Sequence, residues 1–206
     1  MSAPLRCCLL SGGASRRMGR DKALLPHPEG GTWLERTLRV LATTGAPLTL
    51  LSRWPRHLEL AAAWRTGLAA DGLVPELLQE PEPAEGPLLA LRRLMHRHPD
   101  QRLLLCPVDM PALSAEALAT LLLASAVDLR AITIAMASQP QPLLGVYPSD
   151  DGHRQRLDLA VAAGERRLQG WLAGEQVRRC PLDPGVLANV NTRAELEAHA
   201  RSRMAF

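Results

Sequence analysis

The chain has 206 residues, 47% of them apolar, and a formal net charge of +3. That length fits one α/β domain with a sizeable core, and the apolar share excludes a disordered chain. So small a charge, on basic residues that are not interleaved with aromatics, argues against a nucleic-acid-binding surface.

One Phe, one Tyr and four Trp leave Leu and Ala to fill the core. No apolar stretch approaches the length of a bilayer span, and no secretory signal pattern precedes the first apolar run, so no membrane association is expected. Cys7, Cys8, Cys106 and Cys180 form no C-x-x-C, which excludes the common zinc and redox motifs. The first three lie in apolar runs, where a free thiol packs as a small hydrophobe. A reducing cytoplasm is the expected compartment.

Leu5–Leu10 reads as a buried strand that empties into Ser11-Gly12-Gly13. Adjacent glycines let the backbone turn tightly and approach a ligand closely. Arg16, Arg17 and Lys22 follow, with Asp21 the acid among them. A strand leading into a glycine turn that bears cations is a place to hold phosphates, through backbone N–H groups and side-chain charge. It is neither of two common phosphate motifs. Gly12-Gly13-Ala14 does not supply G-x-G-x-x-G, and Gly13 and Gly19 are one residue too far apart for G-x-x-x-x-G-K-[ST], with Arg20 where Lys should stand.

Thr32-Trp33-Leu34-Glu35 is a capping box that opens a helix to about Thr43. Pro47–Ser52 reads as a strand, His57–Ala70 as a helix, and Leu73–Leu78 as a strand ending near Gln79. Gly86-Pro87 starts a helix to about His98, Arg102–Val108 is a nearly all-apolar central strand, and Ser114 caps the next helix with Glu116 in its first turn. Ala131–Ala137 and Leu143–Tyr147 form a strand pair; the Pro-rich segment Ser138–Pro142 between them reads as neither helix nor strand. Helical patterns at Arg154–Ala163 and Arg166–Leu172, separated by Gly164, lead to a late strand, Gln176–Leu182. Thr192-Arg193-Ala194-Glu195 is a second capping box, opening a terminal helix to about Arg203. The alternation predicts an α/β fold of three layers, α/β/α, with a mostly parallel sheet, in a single domain over residues 1–206. Pro26–Gly31 and Glu80–Glu85, rich in Pro, Gly and acid, are candidate mobile loops over a ligand.

In a parallel sheet, ligands sit beyond the carboxyl ends of strands, which places Asp109 well for binding Mg²⁺ together with substrate phosphates. The six histidines give no ligand spacing; His96 and His98 read as surface residues of one helix. No serine lies in a nucleophile-elbow context, so covalent catalysis is not suggested.

Leu10 to Lys22 resembles the signature L-x-G-G-x-S-x-R-M-G-x-D-K of sugar-nucleotide and cofactor nucleotidyltransferases, and within them most resembles the molybdenum cofactor guanylyltransferases. Cys106–Pro111 resembles that family's P-x-D-x-P block, with Asp109 at its metal-binding acid, and Gly86-Pro87-Leu88-Leu89-Ala90 its G-P-L-A-G block without the second glycine. Gln141–Tyr147 resembles Q-P-L-x-G-V-Y, and Asn189-Val190-Asn191-Thr192 resembles N-x-N-T. Where the family has an acid that contacts the nucleotide, this chain has Gln79 with Glu80 beside it, and either residue can take that role. The resemblance implies a Rossmann-like nucleotidyltransferase fold with an N-terminal nucleotide-binding half and a C-terminal acceptor-binding half. It implies transfer of GMP from GTP to molybdenum-bound molybdopterin, with Mg²⁺ as cofactor. Lys22, Arg17 and Asp109 would be catalytic. Leu10, Ser11, Gly12, Gly13, Arg17, Lys22, Gln79, Glu80, Gly86, Pro87 and Asp109 would bind the nucleotide, and Asn189 and Asn191 the acceptor. A monomer making transient contact with cofactor-delivering proteins or molybdoenzymes is expected. A molybdenum cofactor cytidylyltransferase or another sugar-phosphate-type nucleotidyltransferase, and a non-catalytic nucleotide-binding regulatory module, are the competing readings; the cytidylyltransferase usually carries L-A-A-G where this chain has Gly12-Gly13.

Overall fold

Strand β1 (Leu5–Leu10) carries apolar side chains on both faces, and this sets the architecture. Cys7 and Leu9 enter one core layer, while Cys8 enters the other and Leu10 packs against it. A strand buried on both faces needs helices above and below it. The computed structural model describes residues 3–13, 21–68, 74–81 and 85–188. In it β1 lies within a seven-stranded sheet of order β3-β2-β1-β4-β6-β5-β7. Strands β2 (Leu48–Ser52), β3 (Glu76–Gln79) and β4 (Arg102–Pro107) run parallel to β1. Strand β6 (Pro140–Pro148) runs antiparallel between β4 and β5 (Ile132–Met136), and β7 (Val177–Pro181) pairs parallel to β5.

Helices α1 (Trp33–Ala42), α2 (Pro55–Leu68) and α4 (Ala115–Ala126) cover one face through residues such as Leu34, Leu38, Ala61, Leu118 and Leu121. Helices α3 (Pro87–Arg97), α5 (Asp151–Ala162) and α6 (Leu168–Leu172) cover the other through Leu88, Leu91, Leu157 and Leu168. The fold is thus the three-layer α/β/α arrangement expected. Local chemistry starts the helices. Thr32 Oγ1 accepts from Glu35 N–H at 3.3 Å while Glu35 Oε2 accepts from Thr32 N–H at 2.6 Å, closing the capping box of α1. Ser114 accepts from Ala117 N–H at 3.2 Å at the head of α4. Burial pushes the Cys7 thiol up to about 11 and raises Cys8 and Cys106 further, which suits packing rather than reactivity.

Five details depart from the sequence reading. Segment Pro140–Pro142 is strand: Gln141 and Pro140 pair only with Ala135 and Met136 of β5, beyond the last β4 partner Gly145, so no second ladder requires the proline nitrogens. β3 starts at Glu76, after Pro75, which has no N–H for the ladder. Helix α5 starts at Asp151 because Asp150 accepts from His153 N–H at 3.0 Å. His98 is buried, with Nε2 3.2 Å from Thr49 Oγ1, and burial beside Arg6 and Arg97 lowers its pKa to about 4 despite Glu76 nearby. The loop Pro26–Gly31 is tied down: His27 N–H donates to Gly31 O at 2.8 Å, and buried His27 meets Pro111 O at 3.1 Å through Nε2. Among the described residues, no helix is long and apolar enough to cross a membrane.

Gly145 pairs with Leu105 of β4 and Ile134 of β5, and a Cβ there would lie 2.8 Å from Thr133 O. Backbone clamped between two strands cannot shift freely, so Gly145→Ala is expected to cost about 1–3 kcal/mol. The check is a lower urea midpoint with the transition slope little changed.

Candidate active site

From β1 the chain winds outward through β2 and β3, then returns to β4 on the other side of β1. The carboxyl ends of β1 and β4 therefore flank a switch point, where open parallel sheets hold ligands. Leu10 is in register with Pro107, and Val108 N–H donates to Leu10 O at 3.2 Å. Ser11–Gly13 and Val108–Asp109 thus leave the sheet side by side.

The glycine turn is partly committed to its neighbours. Ser11 N–H donates to Leu51 O at 3.1 Å, and Trp54 Nε1–H donates to Gly13 O at 3.2 Å. Among the described residues, the N–H donors that remain in this turn are those of Gly12 and Gly13. Glu80 follows β3 and is pinned there by its own N–H, which donates to Ser52 O at 2.9 Å. Its carboxylate lies over Gly12: a Cβ on Gly12 would be 1.9 Å from Glu80 Oε2. Gln79, in register with Ser52, is exposed. Of the two candidates beside the glycine turn, the structure brings Glu80 to Gly12. Desolvation raises the Glu80 pKa; Arg93 and Arg53 oppose that and Glu85 adds to it. Arg53 in turn stacks its guanidinium 4.4 Å above the Trp54 ring.

On the β4 side, Lys22 Nζ lies 3.5 Å from Asp109 Oδ2. Lys22 opens a short 3₁₀ turn, Lys22–Leu24, that Asp21 caps by accepting from Ala23 N–H at 3.1 Å. The Asp109 side chain is 28% exposed, so one carboxylate faces outward beside a cation. Among the described residues, no group of three or more His, Cys, Asp or Glu gathers that could hold a metal ion. One carboxylate fits Mg²⁺, which protein sites often hold by one or two carboxylates plus substrate phosphates. Gly86, at φ 91°, turns the chain into α3, so Gly86-Pro87 start a helix that follows the carboxyl end of β3. Arg17, Asn189 and Asn191, and the second capping box at Thr192, lie outside the described residues.

Sequence reasoning did not single out His57 or Ser52, which sit beneath the glycine turn. Ser52 Oγ accepts from Trp54 N–H at 3.1 Å, and His57 Nε2 lies 2.7 Å from Asp21 Oδ2. The only sequence signal was an acid inside a cation-rich loop, which needs a partner.

A glycine turn, a cation and an outward-facing acid at a switch point define a nucleotide-handling α/β protein. The model of the MobA-like NTP transferase domain matches residues 7–180, and the chain belongs to that family. It is a nucleotidyltransferase of this type. A probable molybdenum cofactor guanylyltransferase of Rhodopirellula baltica is 32% identical over 202 residues, covering 94% of this chain and 90% of the relative. One of the same description from Mycobacterium avium is 30% identical over 207 residues, covering 98% of both chains. In fold, the chain is similar to the molybdopterin-guanine dinucleotide biosynthesis protein A of Archaeoglobus fulgidus, with TM-score 0.73, 17% identity, and coverage of 98% of this chain and 100% of the other. It is also similar to a 4-diphosphocytidyl-2C-methyl-D-erythritol synthase of Anaerococcus prevotii, with TM-score 0.70, 10% identity, and coverage of 97% and 98%.

The raised Glu80 pKa has a consequence for stability. The folded state disfavours the ionised carboxyl, so stability falls as pH rises from the ordinary value of 4.5 through the raised folded value. Glu80→Gln removes that fall. Its melting temperature is expected to match or exceed wild type at neutral pH, with the difference vanishing below the ordinary Glu pKa; thermal melts at both pH values check this.

Proposed function

We propose that the protein transfers GMP from GTP to molybdenum-bound molybdopterin and releases pyrophosphate. The observation that carries the guanine reading is the Glu80 carboxylate lying against Gly12. Guanine presents an O6 acceptor beside N1–H and N2–H donors. The Gly12 and Gly13 N–H groups suit O6, and an ionised Glu80 suits the two donors. Cytosine presents its N3 and O2 acceptors where guanine has N1–H and N2–H, and these would face the carboxylate unpaired. Each unsatisfied buried group costs roughly 1–3 kcal/mol. The names of the relatives support the same reading.

In the reaction, an acceptor phosphate oxygen forms a bond to the α-phosphorus, the bond from that phosphorus to the β-bridging oxygen breaks, and negative charge gathers on the departing pyrophosphate. Lys22, with Arg17, meets that charge. Such transfers depend mainly on positioning and charge stabilisation. Mg²⁺, held by Asp109 and the substrate's phosphates, supplies charge neutralisation when bound. Asn189 and Asn191 in the C-terminal half would contact the acceptor.

GTP is expected to exceed CTP and ATP by at least about tenfold in kcat/KM, a factor that about 1.4 kcal/mol supplies. Glu80→Gln should lose most of this preference. Pyrophosphate release measured with each triphosphate and loaded acceptor checks both. Equal use of GTP and CTP would favour the cytidylyl reading, and no release with any triphosphate would favour a binding module. In the same assay, Lys22→Ala should lower kcat by a larger factor than it raises KM for GTP, because its charge matters most as pyrophosphate leaves. Asp109→Ala should lose most turnover while remaining folded, since its side chain faces outward.

A further inference from the structure

The geometry points to His57 as a positioning residue that staples the two ends of the glycine loop together and, through Asp21, holds Lys22 in place. This rests on the reading of Lys22 above. His57 lies in the first turn of α2, and its side chain is 1% exposed. Its Nδ1 lies 3.0 Å from Ser11 O, 3.1 Å from Ser11 Oγ and 3.0 Å from Ser52 Oγ. Its Nε2 donates to Asp21 Oδ2 at 2.7 Å, because a carboxylate oxygen there accepts. Ser11 is where the chain leaves β1 and Asp21 is where it enters the Lys22 turn. One buried ring therefore touches both ends of the loop.

Either proton arrangement keeps the contact with Ser11. A protonated Nδ1 donates to Ser11 O, and a bare Nδ1 accepts from the Ser11 hydroxyl. Short-range structure aims the ring: Ser52 Oγ accepts from Trp54 N–H, and His57 N–H donates to Trp54 O at 3.0 Å, so the turn Trp54–His57 delivers His57 beneath the loop.

Asp21 makes the staple matter for Lys22. Its Oδ1 caps the Lys22–Leu24 turn through Ala23 N–H, while its Oδ2 is held by His57. The Asp21 side chain is 35% exposed. Without His57 it can rotate into water, and the turn that aims Lys22 at Asp109 loses its anchor. An acid beside the cation that meets phosphate would also repel phosphate if it swung outward; both its oxygens are instead engaged at the base of the turn.

The test combines exchange with kinetics. By NMR hydrogen exchange on the free protein, the Ala23 amide should exchange faster in His57→Ala than in wild type, with the Glu35 amide of the α1 cap as an unchanged reference. Pyrophosphate release from GTP with loaded acceptor should show kcat reduced by about ten- to a hundred-fold in His57→Ala, the range a small misplacement of a charged group produces. The double variant His57→Ala/Lys22→Ala should be no slower than Lys22→Ala, because the staple acts through Lys22. His57→Gln, which retains an N–H donor, should recover part of kcat. Asp21→Ser keeps a capping hydroxyl for Ala23 and removes the oxygen that meets His57; it should also lower kcat, and it serves if His57→Ala does not fold. Full additivity of His57→Ala with Lys22→Ala, or wild-type kcat in Asp21→Ser, would overturn the assignment. So would unchanged Ala23 exchange in folded His57→Ala. Absence of turnover in wild type itself would overturn the guanylyl reading, and the exchange measurement would then decide the staple alone.

Discussion

Pairing of Leu10 with Pro107 at the carboxyl ends of β1 and β4 is the contact on which the site depends. These strands are neighbours in space, but the chain leaves β1 toward β2 on one side and returns to β4 on the other. Their carboxyl ends therefore lie at the switch point of the sheet, the place where open parallel sheets form a ligand crevice. The register is held by the core rather than by the site. Cys7 and Leu9 face one layer, Cys8 and Leu10 the other, and a one-residue slip would exchange the two sets. Packing on both faces of β1 thereby sets which residues stand beside Asp109.

The crevice has opposite chemistry at its two ends. From the β3 side comes a carboxylate, Glu80, laid over Gly12. On the β4 side lies a cation, Lys22, beside Asp109. A nucleotide is polar in the same sense, with N–H donors on a guanine edge and negative charge on its phosphates. Glycine at position 12 lets the Glu80 carboxylate lie against the turn; a side chain there would push that carboxylate aside. Burial keeps the Glu80 carboxyl costly to ionise, and Arg53 and Arg93 offset that cost in part.

Beneath the crevice, polar side chains are satisfied in a connected network that links α2 to both ends of the glycine loop. Ser11, Ser52, His57 and Asp21 share hydrogen bonds over distances of 2.7 to 3.1 Å. Buried polar groups with complete partners rigidify their surroundings. The network thereby anchors Ser11 and Asp21, while the Asp109 side chain is 28% exposed.

Much of this was legible along the chain because it is local. β1 was readable from its apolar run, α1 from Thr32 and Glu35, α3 from Gly86-Pro87 and α4 from Ser114, since each signal satisfies a backbone need within a few residues. The glycine turn, Lys22 and Asp109 stood out for the same reason, and the structure brings the ends of their strands together and sets Lys22 3.5 Å from Asp109. What the sequence left open depended on partners distant along the chain. Whether Gln79 or Glu80 faces the turn depended on where β3 ends against Ser52. Pro140–Pro142 became strand because one flank of β6 lacks a neighbour there, and His98 became core because Thr49 and Glu76 lie beside it. The role of His57 depended on Ser11 and Asp21, residues that no spacing rule connects to it. By itself, then, the sequence determined most of the elements, because these answer to short-range hydrogen bonding and periodicity, and it named the candidate groups. Only the tertiary structure decided which of those candidates meet, because that is set by strand order and by packing on both faces of the sheet.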